Sequence, residues 1–231
     1  MKKLVFLTGA GISAESGITT FRDSGGLWEQ YPVEAVASIQ GYYRDPALVI
    51  QFYNERRRQL KTVEPNKAHQ LVAALEEKYD VCVVTQNVDN LHERAGSHHI
   101  IHLHGELTKA TSTDNPNDPS QVVTLADDED IHIGDKAKDG SQLRPFIVWF
   151  GEAVPMIEPA AEAVSEADIV VVIGTSLNVY PAAGLLGYAR SGAQIYLIDP
   201  SPNNVPGYLP VHIIAKKATE GMQELYDKLT R

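Results

Sequence analysis

Seven short apolar runs, at residues 4–8, 81–85, 100–103, 146–150, 169–173, 195–198 and 211–214, limit the possible folds more than any other feature. They are rich in Val and Ile and show little polar alternation, which is how strands buried on both faces of a parallel sheet read. Segments of helical period lie between most of them. Residues 66–78 place Leu71, Val72 and Leu75 on one face, and 158–166, 182–190 and 219–229 carry similar patterns. Strands alternating with helices predict an α/β fold, a Rossmann-like doubly wound parallel sheet. Two segments break the rhythm: 23–61, mostly helical in pattern, and 109–143, rich in Asp, Asn, Pro, Ser and Gly. The reading therefore gives residues 1–22, 62–108 and 144–231 to the sheet domain. It gives 23–61 and 109–143 to a small lobe built from two insertions over the carboxyl edge of the sheet. A cleft between lobe and sheet is where ligands bind in this architecture.

The bulk properties exclude several partners. A formal net charge of -10 argues against nucleic acid, because phosphate binding needs a basic face. No apolar stretch is long enough to span a membrane. Lys2 and Lys3 precede an apolar run too short for a signal peptide. One cysteine, Cys82, leaves no disulfide framework and no four-cysteine zinc site. The expectation is a reduced, cytoplasmic protein.

The first run leads straight into Gly9-Ala10-Gly11-Ile12-Ser13-Ala14-Glu15. The glycines permit a tight turn and close backbone approach, and a helix opening at Ser13 would aim free N–H groups at a pyrophosphate. A plain glycine turn fits the same fragment. A dehydrogenase would carry a ribose-binding acid about 20 residues further on. Here that distance falls near Trp28 and Glu29, inside the insertion, so the hydride-transfer layout is not followed.

Further segments complete a series. Thr20-Phe21-Arg22 follows the glycine turn, Gln86-Asn87-Val88-Asp89 ends the second run, and Leu103-His104-Gly105-Glu106 ends the third. Val148-Trp149-Phe150-Gly151-Glu152 and Gly174-Thr175-Ser176 come later. In this order and spacing the set resembles the sirtuin family across nearly the whole chain. The resemblance implies NAD-dependent removal of acyl groups from protein lysines, giving nicotinamide and O-acyl-ADP-ribose, with NAD consumed. It implies His104 as the catalytic base, a task that suits imidazole because its ordinary pKa lies near working pH.

The resemblance also implies further roles. Residues Gly9 to Glu15, Thr20 and Trp28 surround the nucleotide, Phe21 covers the ribose carbon and Arg22 addresses phosphate. Gln86 contacts ribose, and Asn87, Val88 and Asp89 form the nicotinamide pocket. Gly174, Thr175 and Ser176 hold the adenine-side ribose and phosphate, with Asp199, Pro200, Ser201 and Ala218 nearby. Asp199 ends the sixth strand where relatives usually carry Asn, and its carboxylate favours NAD over NADP. Val148, Phe150 and Val179 line an acyl-lysine tunnel, and Gly151-Glu152 pair with an extended peptide.

Residues 45–60 predict a helix on which Val49, Tyr53, Arg56 and Leu60 share one stripe. A guanidinium there is costly without an anion, and a ligand carboxylate would satisfy it as a fork capped by Tyr53. Tyr-x-x-Arg matches the desuccinylase and demalonylase branch, and Ala37 matches the small residue that admits a longer acyl chain. Arg57 and Arg58 are expected on a solvated basic face, and the acidic run 127–130 on a solvated surface.

The chain departs from the family at the zinc site. Ser112 and Asn115 stand where the first cysteine pair belongs, and residues 136–143 offer no thiol. No zinc of that type is expected. His102 and His104 share a strand face, but the sequence shows no carboxylate or thiol cluster to complete a metal set. His98 and His99 read as exposed turn residues, His69 as a helix-face histidine and Cys82 as a small buried hydrophobe. Protein mono-ADP-ribosyltransfer and a non-catalytic NAD-binding module stay open beside deacylation, and the oligomeric state is not readable.

Overall fold

The computed structural model describes residues 1–18, 31–175, 182–202, 207 and 209–231. Along the chain come β1 (Lys3–Thr8), α1 (Ala10–Ala14), α2 (Val33–Val36), α3 (Ile39–Arg44), α4 (Pro46–Leu60) and α5 (Lys67–Ala74). Next are β2 (Asp80–Thr85), α6 (Leu91–Arg94), β3 (Ile100–His102), β4 (Gly105–Ser112), β5 (Val123–Thr124) and β6 (Leu143–Ile147). The chain closes with α7 (Ile157–Glu166), β7 (Ile169–Ile173), β8 (Gln194–Ile198), β9 (Val211–Ile214) and α8 (Ala218–Thr230).

Six strands form one parallel sheet in the order β3-β2-β1-β7-β8-β9. The chain winds outward from β1 on one side and then crosses to β7. The reversal opens a crevice at the carboxyl ends of β1 and β7. Alternate residues of each strand feed two cores. Leu4, Phe6, Val83 and Val171 pack under α5 and α8 through Val72, Leu75, Met222 and Leu225. Val5, Leu7, Val84 and Val172 pack under α7 through Ala160 and Val164. Burying both faces explains the unbroken apolar runs, each large side chain contributing about 1.5–3 kcal/mol. Cys82 is one of these residues, and burial pushes its thiol up to about 11.

The run at 146–150 is a correction. It does not join the parallel sheet. Its first residues belong to β6, which pairs antiparallel with β4 in a separate three-stranded sheet ordered β5-β4-β6. Pro145 lies in β6 and lacks an N–H, so an edge position suits it. The expected helix at 182–190 is a 3-10 segment, Ala182–Tyr188. The small sheet and α4 share a third core of Val49, Phe52, Tyr53, Leu107, Ile147 and Trp149. Among the described residues no helix is long and apolar enough to cross a membrane.

At the far end of the small sheet, three polar residues meet around one carboxylate. Asp139 accepts from the Ser112 hydroxyl at 2.5 Å, the Asn115 amide at 2.9 Å and the Ser141 hydroxyl at 2.8 Å. Ser112 Oγ also accepts the N–H groups of Asp114 and Asn115 at 3.0 and 2.8 Å. These hydrogen bonds, led by the Ser112 and Asn115 side chains, hold the Asp139 carboxyl well below the usual carboxylate range.

Candidate functional site

The crevice is floored by two turns in backbone contact. The N–H of Gly9 donates to Ile173 O at 3.0 Å, that of Gly11 to Gly174 O at 2.9 Å, and that of Gly174 to Ile198 O at 3.1 Å. A Cβ on Gly11 would lie 2.6 Å from Gly174 Cα, and Gly174 has φ +60. Only glycine permits this approach. The helix after β1 opens at Ala10, not at Ser13 as expected, because extended Gly9 already serves as its N-cap. The Gly11 N–H is thereby committed to Gly174. Ile12 is fully buried in the sheet core and Ala14 is exposed. The Glu15 carboxylate accepts the Thr219 N–H and hydroxyl at the start of α8, each at 2.9 Å.

Ser13 begins the polar side of the site. Its hydroxyl donates to Asp89 Oδ2 at 3.0 Å and lies 3.1 Å from Asn87 Nδ2, which also donates to Gly9 O at 3.2 Å. Gln86 Nε2 donates to Thr175 Oγ1 at 3.0 Å, linking the β2 and β7 loops. Val88 turns toward the lobe, its carbonyl accepting the Leu107 N–H at 2.8 Å. Asp89 is 6% exposed. Burial raises its carboxyl, opposed by hydrogen bonds from the Leu91 N–H and Ser13 and by the charge of His102.

His104 stands between β3 and β4. Its Nδ1–H donates to the Gln86 carbonyl at 3.0 Å, so the carbonyl fixes the tautomer and leaves the Nε2 lone pair as the basic site. Burial lowers the ring's pKa, with the Gln86 bond opposing, which favours a neutral imidazole ready to take a proton. Gly105 follows at φ +80, and a Cβ there would lie 2.1 Å from Phe146 O. A glycine after His104 is therefore a steric requirement of the β3–β4 turn.

Beyond β6, Phe150 bridges to the first lobe segment. Its N–H donates to Ala37 O at 2.9 Å and its carbonyl accepts from the Ile39 N–H at 3.0 Å. Phe150 is 53% exposed, Val148 is partly buried, and Gly151 has φ +92. The Glu152 side chain is an internal anchor. Its carboxylate grips buried Arg144 at 2.7 and 2.9 Å and accepts the Trp149 N–H at 2.8 Å, while its own N–H closes a turn on Trp149 O. Arg144 in turn stacks 3.6 Å from the Trp149 ring centroid. This anchor had no sequence signal beyond an arginine in an otherwise apolar run.

Tyr53 and Arg56 share α4 as expected. Tyr53 is 4% exposed and edge-on to Phe52 at 5.1 Å, and burial pushes its hydroxyl up to about 12. Arg56 lies 5.8 Å over the Phe52 ring. Burial lowers its pKa, opposed by Tyr53 and by the negative charge of Asp89. Arg57 is a correction: it is 6% exposed, bonded to Asn54 Oδ1 at 3.3 Å, to the Glu129 carbonyl and to Asp130. The acidic run folds back onto α4 and supplies these acceptors. Arg58 is exposed and also pairs with Asp130.

At the carboxyl end of β8, Asp199 is 9% exposed and accepts the Ser201 N–H at 2.8 Å, with Pro200 exposed beside it. Ala218 opens α8 and packs in the core beside Ile198. Thr20, Phe21, Arg22, Trp28, Ser176 and Val179 lie outside the described residues. Carboxylates do gather around His102: Glu93, His102 and Glu106 bring ligand atoms within 4.8 Å of one another. His104 is not in that group, and Lys109 sits on Glu106 at 2.7 Å.

Residues 9–181, which hold the glycine turns, the 86–89 loop and His104, match the model of the Sir2 family. The chain belongs to that family. A Bacteroides thetaiotaomicron protein named NAD-dependent protein deacylase is 62% identical over 226 residues, covering 97% of both chains. A Helicobacter pylori protein of the same name is 53% identical over 231 residues, covering 99% of this chain and 98% of its own. A crystal structure of a Sir2 homolog–NAD complex superimposes with TM-score 0.88 at 40% identity, covering 99% of this chain and 90% of that one. A Sir2 complex with a deacetylated peptide and 3′-O-acetyl ADP ribose gives TM-score 0.79 at 32% identity, covering 97% and 92%. Against this family pattern the lobe knot offers hydroxyl, amide and carboxylate donors, and the chain's single thiol lies in β2. A four-thiolate zinc does not fit those donors.

Proposed function

We propose that this chain removes acyl groups from protein lysines with consumption of NAD, and that His104 is the base. The observation that carries the reading is the His104 ring, held by Gln86 O at 3.0 Å beside the Ser13–Asn87–Asp89 network. The glycine turns at 9–11 and 174 pack together at the carboxyl ends of β1 and β7, where this architecture binds a dinucleotide, and Asp199 suits ribose hydroxyls. Bound NAD supplies a nicotinamide–ribose bond whose loss leaves a carbon open to the acyl oxygen. His104 Nε2 then takes a proton from the sugar hydroxyls. Asp89 holds the carboxamide and Asn87 orders a water, and Phe21 and Arg22 are assigned to shield the ribose and hold phosphate. The sheet residues 1–22, 62–108 and 144–231 carry the nucleotide, and the lobe, 23–61 and 109–143, closes over the acyl-lysine. The setting is cytoplasmic, and the lobe is held by hydrogen bonds in place of zinc.

Tyr53 and Arg56 give the site a taste for acidic acyl groups, a carboxylate bonding to both, and buried Ala37 is assigned as the small residue that admits the longer acyl chain. A second reading of Arg56 has its own observation: Asp89 already lies within its field, so Arg56 also steadies that carboxylate. Arg56→Met separates the two. With acid-reading alone, turnover of succinyl and malonyl peptides falls about 100-fold while acetyl peptides stay within about twofold; a counter-ion role lowers both equally.

Mass spectrometry with NAD and acetyl, malonyl and succinyl peptides tests the activity itself. Loss of acyl matched by nicotinamide release supports deacylation. A mass gain of ADP-ribose on protein, or binding without turnover, overturns it in favour of ADP-ribosyltransfer or a binding module.

A further inference from the structure

His102 precedes His104 by two residues and repeats its contact one residue further along the neighbouring loop. His104 Nδ1–H donates to Gln86 O at 3.0 Å, and His102 Nδ1–H donates to Asn87 O at 3.2 Å. The other nitrogen sets His102 apart, lying 2.6 Å from Glu93 Oε1 on α6. A carbonyl and a carboxylate both accept, so the ring carries a proton on each nitrogen. Its side chain is only 9% exposed, which makes this a buried cation. Glu106, paired with Lys109 on β4, faces it from a second element. Asp89 on the β2–α6 loop and His92 on α6 are the other titratable groups within its field.

We infer that His102, as an imidazolium, is a positioning residue for the nicotinamide side of the site, tying the Asn87 carbonyl to Glu93 and so fixing the loop on which Asn87 and Asp89 stand. This rests on the NAD-dependent reading above. If Nε2 loses its proton, a lone pair faces the Glu93 carboxylate at 2.6 Å; if Nδ1 does, a lone pair faces the Asn87 carbonyl. Either loss turns one clamp into a repulsion. The cation also favours the ionised form of Asp89 against the burial that raises it.

The sign of the pH effect follows. Burial lowers the His102 pKa, but the hydrogen bond to Glu93 and the charges of Glu93 and Glu106 outweigh it, leaving it raised above 6.5. The clamp is intact below that raised pKa and is lost as pH rises through it. An alkaline limb in NAD use should therefore report His102.

Full-length wild type, Glu93→Gln and His102→Gln are compared by calorimetry for NAD and ADP-ribose, by nicotinamide inhibition, and by kcat and KM for NAD from about pH 6 to about pH 9.5. ADP-ribose lacks nicotinamide and serves as the internal control. Expected for His102→Gln is a tenfold or greater weakening of NAD binding and nicotinamide inhibition, with ADP-ribose affinity within about twofold and no alkaline limb. Expected for Glu93→Gln, which keeps an acceptor but loses the charge, is an alkaline limb shifted down by about one pH unit. Equal weakening of NAD and ADP-ribose, or an unmoved limb in Glu93→Gln, overturns the inference. Should His102→Gln fail to fold, Glu93→Gln decides alone. A wild type that binds NAD but never deacylates defeats the function reading, while the paired binding titrations across pH still decide the clamp.

Discussion

Gly11 and Gly174 meet backbone to backbone, a Cβ on the former falling 2.6 Å from the Cα of the latter, whereas Ser112, Asn115, Asp139 and Ser141 meet through side chains. Both junctions join segments far apart in sequence. The first works by excluding atoms, so almost any substitution is a steric fault. The second works by matching donors to one carboxylate, and several polar side chains can do that. At the lobe end of this chain, three side-chain donors gather on one anion. The nucleotide side is fixed by close packing and the lobe end by replaceable chemistry.

Gly11→Ala breaks the comparison most severely. Its Cβ meets Gly174 Cα at 2.6 Å and Gly174 O at 2.9 Å, so one of the two turns must shift. The expected cost is about 3 kcal/mol or more with loss of NAD binding, read by melting and calorimetry. An unchanged melting temperature and NAD affinity would show that the turns are not in contact.

Acidification should strike the sheet side first. His69 and His92 are buried side by side between α5 and α6, ring centroids 4.9 Å apart. Burial lowers the first from 6.5 to about 4, and burial lowers the second well below 6.5. Both contribute fully above pH 6.5, and that stability is lost as pH falls toward 4 and the folded pKa is approached. For His69 alone the loss is on the order of 3 kcal/mol. Asp139 is held below the usual carboxylate range and keeps the lobe knot charged through the same interval. Hydrogen exchange at pH 4.5 to 7 should show α5 and α6 loosening before β4. The reverse order would contradict this account.

Ser112→Ala is smaller. It strands the N–H groups of Asp114 and Asn115 and removes one donor from Asp139, for about 1–3 kcal/mol, while the KM for NAD stays put. A matching rise in that KM would mean that lobe and crevice are one cooperative unit. Smallest of all, saturating chelator should leave the melting temperature unchanged, and a clear drop would reveal a metal in the lobe.

The sheet was legible because burying both faces of β1, β2, β7 and β8 leaves continuous Val and Ile runs, and the glycine turns because close approach admits no other residue. The 146–150 run misled because hydrophobicity alone does not separate a parallel core strand from an antiparallel edge, although Pro145 was the available signal. Arg57 was read as solvated because its acceptors, Asn54 apart, come from residues 129 and 130, more than 70 positions away. The knot at Ser112 and the Arg144–Glu152 anchor carry no periodicity, since polar contacts across long separations leave no local pattern. The ring partners of His102 and His104 are hidden for the same reason: backbone carbonyls of Gln86 and Asn87 have no side-chain signature.

The most direct test is His104→Ala assayed for acetyl-peptide deacylation beside calorimetric NAD binding. A base whose Nδ1–H is fixed by Gln86 should take about 10²–10⁴-fold of kcat with it while NAD still binds. Turnover within a few-fold of wild type would remove the imidazole from the chemistry.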